Sequence, residues 1–425
     1  MARQTIGGWR AVLHAPVPLL GFLAGSSVSD LGNGFFRLAL PWLVYNLTHS
    51  ATAMGGLAAV QYVPMLLNPW AGALADRYGP RTTILWSSLI QMVLVLLVPL
   101  ASTTGTLSLA LVYAVTLALA TGSLVTQSAT SVLVKRHTPI SARVGVNALV
   151  ALLFNVSWYV SPGLAGFVIG QAGVNAALLL DGASFIAVLI PVLFIAQEPS
   201  LGAGARLDMK RSWRTFRSAK GLLPITVAFA IWNLTWGGVF ALEVFFFRNS
   251  LHLSAMLVGI IGTLGGTFPM LLGLFGPWLV QRIRVGWLMA LTLATSGLGM
   301  AALGYTRGWA EAAAAVNVMD GAIAPVLIVQ STVAQETIPE EIFGQVFSIS
   351  WAAAGGALPA GGLLAGVLAP LVGVPATMAL LGGVAVLGGS MSLGWLRGVS
   401  VGNTRQGEGS IEYAPEISSS DQRSP

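Results

Sequence analysis

Apolar stretches of about 20 residues recur along almost the whole chain, and a helix needs a stretch of about that length to cross a bilayer. Charged residues make up only 8% of the 425 residues, against roughly 25% in ordinary soluble domains. A soluble protein of this size needs far more polar surface. The sequence therefore predicts an all-α membrane protein with twelve transmembrane helices, at about 17–46, 52–75, 82–102, 107–131, 144–170, 174–196, 222–247, 254–280, 286–305, 309–333, 343–371 and 374–396.

The basic residues are distributed unevenly between the two sides of these spans. If the N-terminus is cytoplasmic, only Arg248 and Arg307 of the 21 lysines and arginines fall in outer loops, and only Arg37 falls within a span. Cytoplasmic loops carry such an excess of basic residues. We therefore predict a multi-pass plasma-membrane protein with both termini in the cytoplasm. The net charge of +6 follows from this topology, so we expect membrane lipids and not nucleic acid as partners.

Polar segments divide the spans into two groups of six. The predicted organisation is an N-terminal six-helix bundle over 1–196, a cytoplasmic linker over 197–221, a C-terminal six-helix bundle over 222–397 and a disordered tail over 398–425.

The linker carries two residue patterns at helical spacing. The basic pattern is Arg206, Lys210, Arg214 and Arg217, and the apolar pattern on another face is Met209, Trp213 and Phe216. Such a helix lies in the membrane interface and is attracted to anionic headgroups. The alternative is a solvated linker.

The two groups of spans also resemble each other at an offset of about 200 residues. Pro64–Leu67 and Pro269–Leu272 both read PMLL, and Pro139 before span five matches Pro339 before span eleven. These matches predict a duplicated six-helix unit with a cavity between the copies near the midplane. We expect the protein to be a monomer.

The loop between spans two and three reads GALADRYGPR over residues 72–81. This segment resembles the cytoplasmic signature of the major facilitator superfamily, G-x-L-A-D-R-x-G-R-K. Pro80 and Arg81 occupy the positions where the family has two basic residues, so one positive charge is missing. The resemblance extends over about 17–396, because the span count and the repeat agree with it. It implies the major facilitator fold and a secondary transporter.

The resemblance also implies a cytoplasmic gating motif, formed by Gly72, Asp76, Arg77, Gly79 and Arg81. In the family, this cluster latches the two halves together at the cytoplasmic face and loosens during switching. The alternative is that Asp76 and its arginines only orient the loop.

Span five contains SPGLAG over residues 161–166. It resembles a degenerate form of the G-P-x-x-G-G motif of exporters in this superfamily, with Ser161 in place of the first glycine. Pro162 can kink the helix, and Gly163 and Gly166 let a neighbouring helix approach. The alternative is ordinary proline and glycine packing. The exporter branch that the chain resembles contains macrolide and siderophore efflux proteins.

Ionisable residues inside spans are costly and commonly face a cavity or a partner. The candidates for coupling or binding are Asp30, Asn33, Arg37, Glu243 and Asp320. We expect one or more of the carboxyl groups to bind a proton, with Glu243 a candidate partner of Arg37. The alternative is a structural ion pair. A further buried acid, Asp181, is interpreted as a packing anchor.

Aromatic residues provide candidates for the wall of the cavity. Trp42, Trp158, Trp232 and Trp236 lie within predicted spans, and they could line an apolar binding cavity. Aromatic residues also anchor helices at membrane interfaces, and the sequence does not distinguish these two roles.

Three functions fit these observations. We predict proton-coupled efflux of small amphipathic molecules. One alternative is a specific carrier of a siderophore, sugar or lysolipid. The other is a transporter-like receptor or sensor without flux. The sequence has no histidine–glutamate pair at zinc spacing, no nucleophile elbow and no phosphate-binding loop, so we expect no enzyme activity, cofactor, metal or catalytic residue.

Overall fold

The structure is a computed structural model that describes residues 16–139, 142–196, 209–321, 323–339, 342–397 and 399. Within these ranges only the backbone is described at Pro69, Gly72, Ala73, Ala75, Asp76, Val144, Leu274, Pro277 and Ala324. Three predicted segments lie outside the described residues: the first 15 residues of the N-terminal bundle, the linker segment 197–208, and the tail over 398–425 apart from Val399.

Every regular element in the described ranges is a helix. In the N-terminal half these are α1 (Val17–Thr48), α2 (Ala51–Tyr62), a 3-10 turn (Val63–Leu67), α3 (Asn68–Tyr78), α4 (Pro80–Thr104), α5 (Leu109–His137) and α6 (Arg143–Leu193). The linker contains α7 (Met209–Ser218).

The C-terminal half follows the same pattern of long and interrupted helices. Its elements are α8 (Leu222–Asn249), α9 (Ala255–Leu264), α10 (Thr267–Arg282), α11 (Val285–Leu303), α12 (Trp309–Gly321), α13 (Ile323–Thr337), α14 (Phe343–Gly355), α15 (Ala357–Val372) and α16 (Val374–Trp395).

Nine helices in the described ranges are long and apolar enough to cross a membrane. One of them, Gly145–Leu193, has 49 residues. At about 1.5 Å per residue it would be more than twice the thickness of the bilayer core. Its backbone leaves the helical region at Gly173, where φ is 84° and ψ is 173°, so it contains spans five and six. Helix α1, whose apolar sequence is interrupted by Asp30 and Arg37, and the interrupted span two add the remaining candidates, and the structure is consistent with twelve spans.

Serine caps begin three helices at the predicted outer end of the bundle. The side chains of Ser50, Ser108 and Ser254 accept hydrogen bonds from the backbone N–H groups three residues later. These bonds satisfy donors that would otherwise be unpaired at a helix start. Polar connections of this kind let the chain reverse at the membrane surface.

Spans two and eight are interrupted at matching places in the repeat. Span two breaks at the 3-10 turn, which contains Pro64. Span eight breaks at Gly265 and Gly266, between α9 and α10. There the Asn317 side chain accepts hydrogen bonds from the backbone N–H of Phe268 (2.9 Å) and the hydroxyl of Thr267 (3.0 Å). It also donates to the backbone oxygen of Leu264 at 2.6 Å, so the polar groups freed by the break are satisfied.

The helices before and after the linker pack mainly within their own group. In the first group α1 packs along α6, and in the second α11 packs along α16. The two groups meet where α2 crosses α15 and where α6 crosses α9. The elements of spans two, five, eight and eleven therefore form the contact between the halves.

Candidate functional site between the two halves

Arg37 links α1 to span five. Its Nη2 atom donates a hydrogen bond to the Ser161 hydroxyl at 3.1 Å. Its guanidinium carbon lies 4.0 Å from the centroid of the Trp158 ring, in cation–π geometry. A side chain at Gly34 would collide with Ser161, so glycine is needed for α1 to approach this closely. The structure thus brings together three residues that the sequence placed in separate groups.

Two acids and an amide accompany Arg37. Asn33 lies close to the Asp30 carboxylate, and both Asp30 and Asp181 are close enough to act on the charge of Arg37. Asp181 is only 2% exposed, and its Oδ1 atom is buried without a hydrogen-bond partner. We call Asp30, Asn33, Arg37 and Asp181 the N-terminal charge cluster. Asp181, interpreted from sequence as a packing anchor, therefore lies within reach of the candidate site.

A row of four aromatic rings runs along one face of α8. The centroids of Phe229 and Trp232 are 6.0 Å apart, those of Trp232 and Trp236 5.5 Å, and those of Trp236 and Phe240 4.7 Å. Residues three and four apart share one helix face, which explains the stacking. Tyr62 meets Phe240 edge-to-face at 6.3 Å. This aromatic row therefore connects with span two of the other half.

The two tryptophans of the aromatic row have different polar partners. The Trp232 indole donates to the Ser296 hydroxyl at 3.0 Å, and Ser296 donates to the backbone oxygen of Met319 at 2.7 Å. The Trp236 indole donates to Asp320 Oδ1 at 2.7 Å. Trp232 is thus held by uncharged groups, whereas Trp236 is held by a carboxylate.

Glu243 and Asp320 form an acidic pair in the C-terminal half. Glu243 Oε1 is buried without a hydrogen-bond partner, and Asp320 lies close enough to act on the charge of Glu243. Arg37, Glu243 and Asp320 all lie close enough to Tyr62 for their charges to act on its hydroxyl group. Sequence reasoning did not select Tyr62, whose only signal was its place just before the repeated PMLL segment. The ion pair between Arg37 and Glu243 that the sequence suggested is not formed in this conformation.

Trp42 lies at the predicted outer end of the bundle. Its ring is 4.3 Å from the guanidinium carbon of Arg248, which also faces the Tyr45 ring at 5.4 Å. Tyr45 in turn meets Phe245 edge-to-face at 5.7 Å. Trp42 therefore contributes to an α1–α8 contact and not to the aromatic row.

The span-five motif forms the crossing between α6 and α9. The backbone N–H of Gly163 donates to the Thr263 hydroxyl at 3.0 Å. Pro162 and Gly166 both lie against Gly259, and a Cβ atom on Gly166 would lie 2.9 Å from the Cα atom of Gly259. Only small residues permit this approach. Gly259 and Thr263, which complete the contact, were not identified from sequence.

A second crossing repeats this arrangement between α2 and α15. Gly55 lies against Gly362 and Gly366, and the Thr52 hydroxyl donates to the backbone oxygen of Gly366 at 2.8 Å. Both crossings lie on the predicted outer side of the aromatic row, where they hold the halves together.

The predicted gating motif forms a turn between α3 and α4. Gly79 has a φ of 80°, which favours glycine, and its backbone oxygen accepts a hydrogen bond from the Thr83 hydroxyl at 2.9 Å. Arg81 donates to the backbone oxygen of Leu193 at 2.9 Å, at the end of α6. Arg77 faces the Tyr78 ring at 5.3 Å. The side chain of Asp76 lies outside the described part of the structure, so the latch remains a prediction.

This architecture, two groups of membrane helices that meet around buried charges, defines an integral membrane transport protein. A model of the Major Facilitator Superfamily matches residues 22–355. The chain belongs to this superfamily, and it is a multi-pass membrane transporter and not an enzyme. The predicted superfamily and fold class are thereby confirmed.

The similar proteins agree with this assignment. The multidrug efflux pump Tap of Mycolicibacterium fortuitum is 25% identical over 400 residues, covering 87% of this chain and 95% of that protein. The staphyloferrin A transporter of Staphylococcus aureus is 36% identical over 81 residues, covering 18% of this chain and 20% of that one. A POT family transporter solved with 5-aminolevulinic acid has a TM-score of 0.75 at 13% identity, covering 90% of this chain and 96% of its own. This last likeness concerns the fold alone.

Proposed function

We propose that this transporter exports small amphipathic molecules by alternating access and couples their export to proton entry. The observation that carries this proposal is the hydrogen bond from Trp236 in the aromatic row to Asp320. In this proposal Asp320 binds the proton and the Trp236 ring binds the apolar part of the substrate, and their hydrogen bond is the link between the two events. The multidrug efflux pump that resembles the chain over most of its length supports the direction of transport.

The aromatic row offers a surface suited to amphipathic molecules. Its rings are stacked within 22° of parallel, and Trp236 and Phe240 are only partly buried. Binding sites of this kind combine apolar walls with a few polar groups that orient the ligand. A flat apolar group would pack on the rings while a polar group meets Asp320 or Tyr62.

The acidic pair provides the coupling chemistry. A hydrogen bond from an indole to a carboxylate is stronger than one to a neutral carboxyl group. Proton binding to Asp320 therefore weakens its hold on Trp236 and removes its repulsion of Glu243. In the outward-open state a proton from the more acidic side displaces the substrate. In the inward-open state loss of that proton restores the site.

Alternating access requires the contacts at the outer end to open and close. In this conformation Arg248 packs on Trp42, and the two glycine crossings hold the halves together. We propose that the 1–196 and 222–397 groups rock as two bundles about the aromatic row, which breaks these contacts. The Gly72–Arg81 segment would close the cytoplasmic side in the opposite state.

Proteoliposomes test this proposal directly. The purified chain is reconstituted with a pH-sensitive dye inside, and amphipathic fluorescent substrates are added with and without an imposed pH gradient. We expect substrate and protons to cross the membrane in opposite directions. The rate of substrate transport should be at least tenfold lower when a protonophore removes the gradient. A transport rate that is independent of the pH gradient, with no accompanying proton movement, would contradict coupling.

A specific siderophore carrier is the second candidate function. The local resemblance to the staphyloferrin A transporter favours it, and Arg37 offers a cation for an anionic substrate. Competition with staphyloferrin A in the same proteoliposomes separates the two candidates. Binding of a substrate with no flux in either direction would instead favour the receptor alternative.

A further inference from the structure

Helix α7 in the linker has a buried face and an exposed basic face. Ser212 and Phe216 are each only 1% exposed. Lys210, Arg214 and Arg217 are exposed, and at 100° per residue they fall within about one sixth of a turn of each other. The helix is thus attached to the protein on one side and presents three cations on the other.

The buried face connects α7 to the ends of spans ten and eleven. Phe216 packs in a cluster with Leu222 at the start of α8 and with residues of α13, α14 and their connection, namely Ala334, Ile338, Ile342, Val346 and Ile349. The Ser212 hydroxyl donates to Gln345 Oε1 at 2.8 Å. Movement of α7 is therefore transmitted to α14.

The position of α14 matters because it contacts the other half. It packs against α3 and the 3-10 turn of span two, where Met65 and Leu66 lie against Gly355 and Gly356. At Gly355 and Gly356 this contact between the halves lies level with the aromatic row, because nearby Leu358 packs against Gly237 of α8, and its α3 part lies nearer the predicted cytoplasmic end. A ligand that fixes α7 would bias this contact.

The exposed face has the chemistry of a site for membrane headgroups. Trp213 is 49% exposed between the basic and buried faces, and its ring lies 5.4 Å from that of Phe216. Tryptophan favours the membrane–water interface, and clustered cations beside it attract anionic lipids. Only three residues separate the end of α7 from the start of the membrane helix α8. The basic face therefore lies next to the lipid surface.

We propose that α7 binds the headgroups of anionic phospholipids, and that this binding controls the inner contact of α14 with span two and thereby the rate of transport. The binding stands independently of the proposed transport. The control of rate rests on it.

Binding is tested with the full chain in detergent micelles, to which phosphatidylglycerol or phosphatidylcholine is added while the melting temperature is followed. We expect phosphatidylglycerol alone to raise the melting temperature of the wild type. Each cation near the surface contributes about fivefold to affinity. The triple variant Lys210→Gln, Arg214→Gln, Arg217→Gln should therefore bind phosphatidylglycerol roughly 100-fold more weakly.

A matched variant controls for the loss of three charges. Lys135→Gln, Arg284→Gln, Arg397→Gln removes three other exposed basic residues and should retain wild-type binding. Equal weakening in both triple variants would overturn the site. Glycerol phosphate tests whether a soluble anion is sufficient. If it raised the melting temperature of the wild type as much as phosphatidylglycerol does, the cations would bind a soluble anion and the lipid proposal would be overturned.

The link to transport is tested in proteoliposomes with increasing phosphatidylglycerol. We expect wild-type transport to increase several-fold, and Ser212→Ala to bind the lipid normally but lose most of this increase. A full increase in Ser212→Ala and in the basic-face triple variant would overturn the control of rate. If no lipid composition supports transport, the proposed function fails while the melting experiment still decides the binding.

Discussion

The buried charges of the two halves differ in how they are balanced. In the N-terminal charge cluster, two acids, Asp30 and Asp181, are close enough to act on the charge of Arg37, which donates to Ser161. In the C-terminal half, Asp320 lies close enough to act on the charge of Glu243, and the described contact of Asp320 is the neutral indole of Trp236. A charge held by an opposite charge favours a fixed structure, whereas two like charges favour proton uptake. We therefore propose that the first cluster holds helices together and that the second serves coupling.

The largest expected effect follows replacement of the coupling acid in the C-terminal half. Asp320→Asn keeps a hydrogen-bond acceptor for Trp236 but removes the charge and its proton. We expect proton-driven substrate transport in proteoliposomes to fall by at least tenfold, while exchange of substrate between equal concentrations persists. Glu311→Gln, on the same helix but exposed, is the control. Wild-type coupling in Asp320→Asn would remove the distinction between the halves.

The next effect concerns the stability of the N-terminal charge cluster. Arg37→Gln removes the cation that acts on Asp30 and Asp181 and the charged donor of the hydrogen bond to Ser161. Since a hydrogen bond of a charged group contributes roughly 1.5–3 kcal/mol, we expect the free energy of unfolding to fall by about that amount, measured by denaturation in detergent. Adding Asp181→Asn should recover part of this loss. No recovery would show that the two residues do not interact.

A smaller effect is expected from the indole that joins the aromatic row to the acidic pair. Trp236→Phe keeps a stacking ring but removes the hydrogen bond to Asp320, which at roughly 1.5 kcal/mol corresponds to about tenfold in affinity. Substrate affinity measured by fluorescence quenching should weaken by up to that factor. Trp232→Phe, whose partner is the neutral Ser296, should change it less. A larger loss of affinity in Trp232→Phe than in Trp236→Phe would indicate that the substrate binds nearer to Trp232.

The smallest effect compares the two interrupted spans. Asn317 satisfies backbone groups at the break of span eight, whereas span two has Pro64, which has no backbone N–H to satisfy. Asn317→Ala should therefore cost about 1–2 kcal/mol of stability, and Pro64→Ala less. Melting temperatures of the two variants in one detergent test this. A larger loss in Pro64→Ala would reverse the comparison.

Much of the fold could be predicted because it depends on local signals. Apolar length predicted an all-helical membrane fold, and residues 72–81 predicted the superfamily. The site depends on which spans face each other, and the sequence does not contain that information directly. Arg37 and Ser161 are 124 positions apart, so their contact was not predicted. This contact offers a reason why Ser161 replaces the glycine of the exporter motif: glycine has no hydroxyl to accept the hydrogen bond.

The position of individual side chains could not be predicted for the same reason. Trp42 was grouped with the other tryptophans, and the structure shows it against Arg248 and not in the aromatic row. Tyr62 was missed because its importance comes from charges on other helices. The roles of the gating motif, the candidate acids and the aromatic residues in transport remain predictions.

The central claim is that the acidic pair carries the coupling proton. Its most direct test is the release of protons when substrate binds to the purified protein, followed with a pH indicator in weakly buffered detergent. We expect about one proton per bound substrate from the wild type and from Asp30→Asn, and none from the double variant Glu243→Gln, Asp320→Asn. Undiminished release from the double variant, or loss of release in Asp30→Asn alone, would contradict the claim.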